Sequence, residues 1–214
     1  MIYQWSRQST VEPKVTIYFE HQAQLDFTEK ALRKIKSGEN GSSILKEIAD
    51  MSTYEKSVLI LVDDNSNSET GGELTYSQMK RFNVDPEDNQ HEYRKKLVDE
   101  ATNGKGVRPV VYYNPLEAIE IDRMNNSWAV RNSKLSYVTL AHELVHALHL
   151  MKGDSLSQGM NRMKDDPNIE SNDEEYRATG INQYSGSKKS ENGVRSDHGL
   201  PLRASYFTLN ELEF

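Results

Sequence analysis

The residues of this chain best suited to chemistry lie in one short segment, His142-Glu143-Leu144-Val145-His146. Two histidines four positions apart on a helix differ by about 40° in direction and about 6 Å along the axis, so both rings can reach one metal ion. A glutamate directly after the first histidine then stands beside the ion, where it can act as a general base. The segment therefore predicts a zinc-dependent peptidase.

The flanking sequence predicts the helix that this pattern requires. Apolar residues recur with helical spacing, namely Val138, Ala141, Val145 and Leu148. This spacing indicates an amphipathic helix from about Ser136 to Lys152, with Gly153 as its C-cap. The alternative is an ordinary helix whose histidine pair is satisfied by neighbours and whose glutamate lies at the surface.

A catalytic zinc ion needs a third protein ligand besides the two histidines. The chain has no cysteine, so this ligand must be a histidine or a carboxylate. Position 152 is a lysine, which excludes the metzincin arrangement, and His149 lies about 10 Å along the axis from His142 and is better suited to packing or support. The remaining candidates are acids that follow the helix: Asp154, Asp165, Asp166, Glu170, Asp173, Glu174 and Glu175. Spacing alone does not choose between Glu174 and Glu175, and acids at the helix start predicted near Asn172 often serve only as caps.

The composition argues against several other classes of function. The 214 residues carry a formal net charge of −7 and show no basic stripe interleaved with aromatics, so we expect no nucleic-acid partner. The sequence contains no run of 18 apolar residues, and its first residues lack the layout of a secretory signal, so we expect no membrane partner and no cleavable leader. We expect a soluble monomer with a single metalloprotease domain, 1–214, whose motif-bearing catalytic part is 133–208.

The rest of the sequence predicts a mixture of strands and helices. The predicted strands are 15–19, 57–62, 107–113 and 128–130. The predicted helices are one capped by Asp26 or Thr28 with Phe27 in the core, one capped by Ser42 or Ser43, and a charged, exposed one at 91–102. Residues 63–77 are typical of a plain surface loop, with the edge of a cleft as the alternative. This order favours a single-domain α+β fold of the zincin kind, with the metal helix followed by a glutamate-bearing helix.

Two segments resemble the clostridial neurotoxin light chains. Residues 138–147 are similar to their metal helix, and 174–180, Glu-Glu-Tyr-Arg-Ala-Thr-Gly, is similar to their Glu-Glu-Leu-Arg-Thr-Phe-Gly segment. The second glutamate of that pair binds zinc in those toxins, so the resemblance implies Glu175 as the third ligand and leaves Glu174 in a supporting position.

A third similarity to these toxins lies near the C-terminus. Arg203-Ala204-Ser205-Tyr206 matches their Arg-x-x-Tyr, whose side chains face the scissile carbonyl, and Glu191 precedes Arg203 by twelve residues as a supporting glutamate does there. The resemblance thus implies catalytic roles for Arg203 and Tyr206. Glu191 then either holds the Arg203 guanidinium or orients a zinc-bound histidine. The alternative makes Arg203 an exposed ion-pair partner and Tyr206 a core aromatic.

The length and the whole motif set, including Ser190-Glu191-Asn192 and 199–203, are similar in more detail to the NleD-type effector metalloproteases. That family is injected by type III secretion and cuts host JNK and p38-class MAP kinases in the activation loop. The resemblance, which covers about 138–206, implies one zinc ion, a host kinase substrate, action in the host cytoplasm and a block of inflammatory signalling. Two alternatives stay open: a zinc endopeptidase with another host substrate, such as a membrane-fusion protein, and a binding module with a structural metal. Structural zinc sites often use thiolates, which disfavours the second.

Overall fold

The computed structural model describes residues 3–156 and 170–209, and it describes side chains at 3–156 and 173–209. The elements in chain order are β1 (Trp5–Gln8), β2 (Val15–Phe19), α1 (Gln22–Lys36), α2 (Glu39–Met51), β3 (Val58–Val62), β4 (Glu69–Glu73), α3 (Tyr76–Phe82), α4 (Gln90–Thr102), β5 (Arg108–Tyr113), β6 (Glu117–Ile121), β7 (Ser127–Arg131), α5 (Ser136–Lys152), α6 (Glu170–Thr179) and α7 (Glu191–Asp197). A 3-10 turn covers Asn182–Tyr184. This mixture of helices and sheet confirms the predicted α+β class.

Five strands form one sheet in the order β1-β2-β3-β5-β4. The central strands β2, β3 and β5 are parallel, whereas β1 and β4 are antiparallel edge strands. Parallel strands are normally covered on both faces, and β2 and β3 accordingly carry β-branched and leucine residues. Strands β6 and β7 form a separate antiparallel hairpin.

Helix α5 carries the histidine pair and spans Ser136 to Lys152, as predicted. Gly153 ends it with a left-handed φ of 71° and donates its N–H to the His149 carbonyl, which confirms the predicted C-cap. The predicted amphipathic character is wrong, however, because fourteen of its 17 residues are buried between the sheet, α1, α2 and the β6–β7 hairpin. Every polar side chain on the inner part of this helix therefore needs a partner within the protein.

The starts of the first two helices differ from the prediction. Helix α1 begins at Gln22 and leaves Phe27 42% exposed, and neither Asp26 nor Thr28 caps it. Helix α2 begins after Gly38, and its Gly41 N–H donates to the Asp197 carboxylate at 3.0 Å. The group that replaces the predicted Ser42 or Ser43 cap thus comes from α7, more than 150 residues away, where local sequence cannot reveal it.

Residues 63–77 are not the predicted surface loop. They contain the edge strand β4, in which Thr70 pairs with Val111 of β5, and the start of α3. The sequence Glu-Thr-Gly-Gly-Glu has low strand propensity. This strand therefore forms because it pairs with β5, and not because its residues prefer strand conformation. The residues predicted as a helix start near Asn172 also differ, because α6 begins at Glu170 and places Glu174 and Glu175 in its second turn. Among the described helices, none is long and apolar enough to cross a membrane.

Candidate metal centre

Three side chains from α5 and α6 converge on one point. His142 Nε2 and His146 Nε2 lie 3.0 Å apart, and each lies 3.1 Å from Glu175 Oε2. Ligands at about 2.0–2.1 Å from a tetrahedral zinc ion are separated from one another by about 3.3 Å, close to these distances. All three residues are buried. Two imidazoles and one carboxylate therefore form a group that can hold a metal ion, and this donor set suits zinc.

The side chains of this group stabilise one another's charged forms. Burial opposes ionisation of Glu175, but His146 and His142 outweigh it and hold the pKa of this carboxyl well below its usual value. Burial lowers the pKa of His142 and His146, but their carboxylate partners outweigh it and raise both pKa values, so a metal ion that binds here displaces protons from the two rings. Spacing alone did not choose between Glu174 and Glu175 as the third ligand. Of the two carboxylates, that of Glu175 lies next to both Nε2 atoms.

Each histidine of the group has a carboxylate behind it. Glu191 Oε2 lies 3.1 Å from His142 Nδ1, and Glu174 Oε1 lies 3.1 Å from His146 Nδ1. A carboxylate on Nδ1 fixes the ring orientation and leaves Nε2 for the metal. Both carboxylates thus lie where they can orient the two imidazoles.

Glu174 and His149 make a further cluster beside His146. Glu174 Oε1 lies 2.6 Å from His149 Nδ1, and Glu174 Oε2 accepts the Leu156 N–H at 3.0 Å. His146, His149 and Glu174 offer three possible metal ligands of their own, but an ion there would take Glu174 away from these contacts and from the His146 ring. The cluster is better explained as buried support for His146, with His149 outside the first group.

Glu191 connects the metal group to two arginines. Its Oε1 accepts from Arg195 Nε at 2.7 Å, and its Oε2 accepts from Arg203 Nη1 at 2.9 Å. Burial raises the pKa of this carboxyl, but Arg203 and Arg195 outweigh it and hold the pKa well below its usual value. Of the two roles considered for Glu191, the geometry allows both at once, since it contacts Arg203 and His142.

Glu143 follows His142 on α5 and is not one of the three grouped side chains. Its side chain is buried, and Thr70 Oγ1 lies 2.8 Å from Glu143 Oε2 and 3.0 Å from the Glu143 carbonyl oxygen. Thr70 is a residue that sequence reasoning missed. It lies 73 positions before Glu143 in a segment interpreted as a loop, so no local signal indicated the contact.

Arg203 and Tyr206 lie on the His142 side of the centre. Arg203 is 6% exposed, so it is not the exposed ion-pair partner of the alternative interpretation. Its Nε donates to the Ser205 carbonyl at 3.2 Å and its Nη2 to the Tyr206 carbonyl. The half-buried Tyr206 ring stacks near His142, with 6.2 Å between centroids, and the guanidinium lies 5.4 Å from the Tyr206 centroid. The structure therefore brings both residues to the metal group.

The other acids considered as ligands have different partners or lie outside the described part of the chain. Asp154 pairs with Arg177 at 2.9 Å, and Asp173 accepts from the Tyr184 hydroxyl at 2.7 Å. Asp165, Asp166 and the Glu170 side chain lie outside the described residues.

The sequence matches one protein family over most of its length. The model of the family Peptidase_M91, described as an effector protein, matches residues 15–206. Among curated proteins no match to the sequence is found.

Solved structures of neurotoxin light chains are similar to this chain. The light chain of Clostridium botulinum neurotoxin serotype F is 16% identical, with a TM-score of 0.49 over 91% of this chain and 56% of that one. The catalytic domain of the same serotype is 17% identical, with a TM-score of 0.48 over 91% and 54%. The light chain of botulinum neurotoxin serotype HA is 18% identical, with a TM-score of 0.46 over 70% and 38%. This chain thus spans about half the length of these chains or less.

Proposed function

Because this chain belongs to the Peptidase_M91 family of effector proteins, we propose that it cleaves a host MAP kinase of the JNK or p38 class in the activation loop. Membership of this family makes the chain a peptidase and an effector, and its metal-binding group makes it a metallopeptidase. One observation carries the proposed chemistry: His142, His146 and Glu175 converge within about 3 Å, and Glu143 follows His142 on the same buried helix. The kinase substrate is supported by the similarity of the motif set to the NleD-type effectors.

The metal is proposed to be a single zinc ion held by His142, His146 and Glu175. When bound, zinc supplies a Lewis acid and makes water a nucleophile at neutral pH. Glu174 and Glu191 would keep the two imidazoles turned toward the ion through their Nδ1 atoms. The protein's task at this centre is therefore to present two Nε2 atoms and one carboxylate oxygen from buried, fixed side chains.

Glu143 is the proposed general base. Its carboxylate would take a proton from the attacking water and then deliver that proton to the leaving amine, so that no net proton is gained by the enzyme. This role requires an ionised side chain within reach of the water, in a site from which bulk solvent is excluded. Glu143 is shielded from bulk solvent, because only 4% of the residue is exposed.

Arg203 is proposed to stabilise negative charge on the scissile carbonyl oxygen, together with the Tyr206 hydroxyl. A guanidinium has five N–H donors, and the described contacts of Arg203 use three, to Glu191, Ser205 and Tyr206. Two donors are left for a substrate oxygen. Loss of one such donor typically costs about 3 kcal/mol in the activation barrier.

The setting of this activity is also part of the proposal. We place the protein in the host cytoplasm after type III secretion, where it acts as a single-domain monomer on a protein substrate and lowers inflammatory signalling. The family supports the effector role in general, and the route and the kinase follow from the resemblance alone.

The substrate is tested by intact mass. Zinc-loaded protein is incubated with activated JNK and p38-class kinases, and the masses of the products are measured. We expect two fragments whose masses add to the kinase plus one water and whose junction lies in the activation loop. If both kinases stay intact while the protein still cuts other proteins in a host-cell lysate, the kinase assignment is wrong and another substrate class, such as a membrane-fusion protein, takes its place.

A further inference from the structure

The proposed general base has one described partner on the sheet. Thr70 Oγ1 lies 2.8 Å from Glu143 Oε2 and 3.0 Å from the Glu143 carbonyl oxygen, and both distances are within hydrogen-bond range. Within the described residues, the Thr70 hydroxyl is the one hydrogen-bond partner of the Glu143 carboxylate. Among these residues, a single hydroxyl thus gives this carboxylate its hydrogen-bonded direction.

The fold places this hydroxyl firmly. Thr70 is the second residue of β4, and its pairing with Val111 on β5 fixes which way its side chain points. The next two residues, Gly71 and Gly72, have no side chains, and a Cβ at Gly72 would meet Val107 Cγ2 at 3.0 Å. The strand thus lies close to its neighbours, and in this stretch only Thr70 presents a side chain to α5.

We propose that Thr70 is a positioning residue that holds the Glu143 carboxylate in its working direction. The inference rests on the general-base role proposed for Glu143, but it does not depend on which protein is cleaved. A bond from Thr70 to Oε2 restricts the rotation of the carboxylate and leaves Oε1 as the oxygen free to face the attacking water.

A hydroxyl suits both states of the base. It has one hydrogen and two lone pairs, so it can donate to Oε2 while Glu143 is a carboxylate. Once Glu143 has taken the proton on Oε1, Oε2 keeps its lone pairs and still accepts from the hydroxyl. The contact therefore persists in both states without movement of heavy atoms.

The test compares two substitutions at position 70 with a matched one elsewhere. Thr70→Val keeps the shape of the side chain and removes the hydroxyl, whereas Thr70→Ser keeps the hydroxyl. The control is Thr28→Val, which removes a buried hydroxyl that bonds the Gln24 carbonyl at 2.8 Å in α1. Zinc content, thermal unfolding, kcat and KM on the p38-class kinase, and crystal structures of the zinc-loaded proteins are measured for all of them.

We expect Thr70→Val to bind one zinc ion, to lower kcat by about tenfold to a hundredfold with KM within about twofold, and to show the Glu143 carboxylate rotated or in several orientations. Thr70→Ser should restore kcat to within about threefold of wild type, and Thr28→Val should keep it. The proposal is wrong if Thr70→Val leaves the carboxylate in place and kcat unchanged, or if it loses zinc or stability in step with activity. If the wild type does not cut the kinase, the substrate assignment fails, and the Glu143 orientation in the crystals alone decides the role of Thr70.

Discussion

Oε2 of Glu191 lies 3.1 Å from Nδ1 of His142. The same oxygen accepts a hydrogen bond from Arg203 at 2.9 Å. One buried carboxylate oxygen therefore sets both the direction of a metal ligand and the position of the arginine proposed to face the substrate. The proposed metal ligand and the proposed catalytic arginine therefore share one supporting carboxylate, although His142 lies 49 positions before Glu191.

Replacement of Glu191 by glutamine should weaken both the metal site and the fold. We expect zinc affinity to fall about 10-fold to 100-fold, because the carboxylate behind His142 is lost. Stability should fall by about 3–5 kcal/mol, since Arg195 and Arg203 would be left buried without their counter-charge. Chelator competition and urea unfolding measure the two effects.

The control for this change is Glu100→Gln. Glu100 of α4 is also buried and pairs with Arg81 and Lys105, but these partners belong to α3 and to the segment after α4. It should lose stability and keep its zinc affinity. Equal zinc affinity in Glu191→Gln and wild type would contradict the role given to Glu191.

The two adjacent glutamates of α6 should behave differently. Glu175→Gln removes a ligand, so the protein should not retain zinc after dialysis against a mild chelator. Glu174→Gln removes no ligand but changes the contacts to His146, His149 and the Leu156 N–H, so it should still bind one zinc ion, about 10-fold to 100-fold more weakly. Metal analysis after dialysis distinguishes them. Retention of zinc by Glu175→Gln and its loss by Glu174→Gln would reverse the assignment.

Substitution of the two arginines that contact Glu191 should have different effects: Arg203 should affect kcat, and Arg195 should affect stability. Arg203→Lys replaces the planar guanidinium and its five N–H donors with a single ammonium group, so we expect kcat to fall about a hundredfold with little change in KM. Arg195→Lys is the matched variant, because Arg195 is almost fully buried and donates to Glu191 and the Ile119 carbonyl. Its main effect should be on unfolding. A kcat loss in Arg195→Lys as large as in Arg203→Lys would argue against a direct role for Arg203.

Local sequence was sufficient for the metal helix and for the central strands. The helical spacing of Val138, Ala141, Val145 and Leu148 and the glycine at 153 predict α5, and the β-branched and aromatic run at 15–19 predicts β2. These signals are local, so neighbours in sequence carry them. Contacts between distant parts of the chain cannot be predicted in this way. Asp197 caps α2 and Thr70 contacts Glu143 only after the chain has folded.

The choice between Glu174 and Glu175 shows the same limit. Adjacent residues on a helix differ by about 100° in direction, so only the orientation of α6 against α5 decides which carboxylate meets the Nε2 atoms. In the sequence, only the resemblance to the neurotoxin light chains favoured Glu175, because spacing does not distinguish the two glutamates. The extensive burial of α5 was missed for a related reason: its three histidines contact buried carboxylates, which a hydrophobic pattern does not record.

Removal of the metal should lower the melting temperature. A ligand that binds only the folded state stabilises it by an amount that grows with the logarithm of its concentration over Kd, about 4 kcal/mol when that ratio is a thousand. Addition of a strong chelator to the wild type should therefore lower Tm by several degrees, and added zinc should restore it. Glu175→Gln should not respond to either. If the chelator does not change the Tm of the wild type, the proposal that zinc binds at His142 and His146 is contradicted.

The general-base role of Glu143 is tested most directly by Glu143→Gln, with zinc content and peptidase activity measured on the same sample. The account predicts one zinc ion per chain in the variant and the wild type alike, and a loss of at least about a thousandfold in cleavage by the variant. Thermal unfolding should be the same within about two degrees. Cleavage by Glu143→Gln at a rate near that of the wild type would contradict the account, because the metal centre would then work without its proposed base.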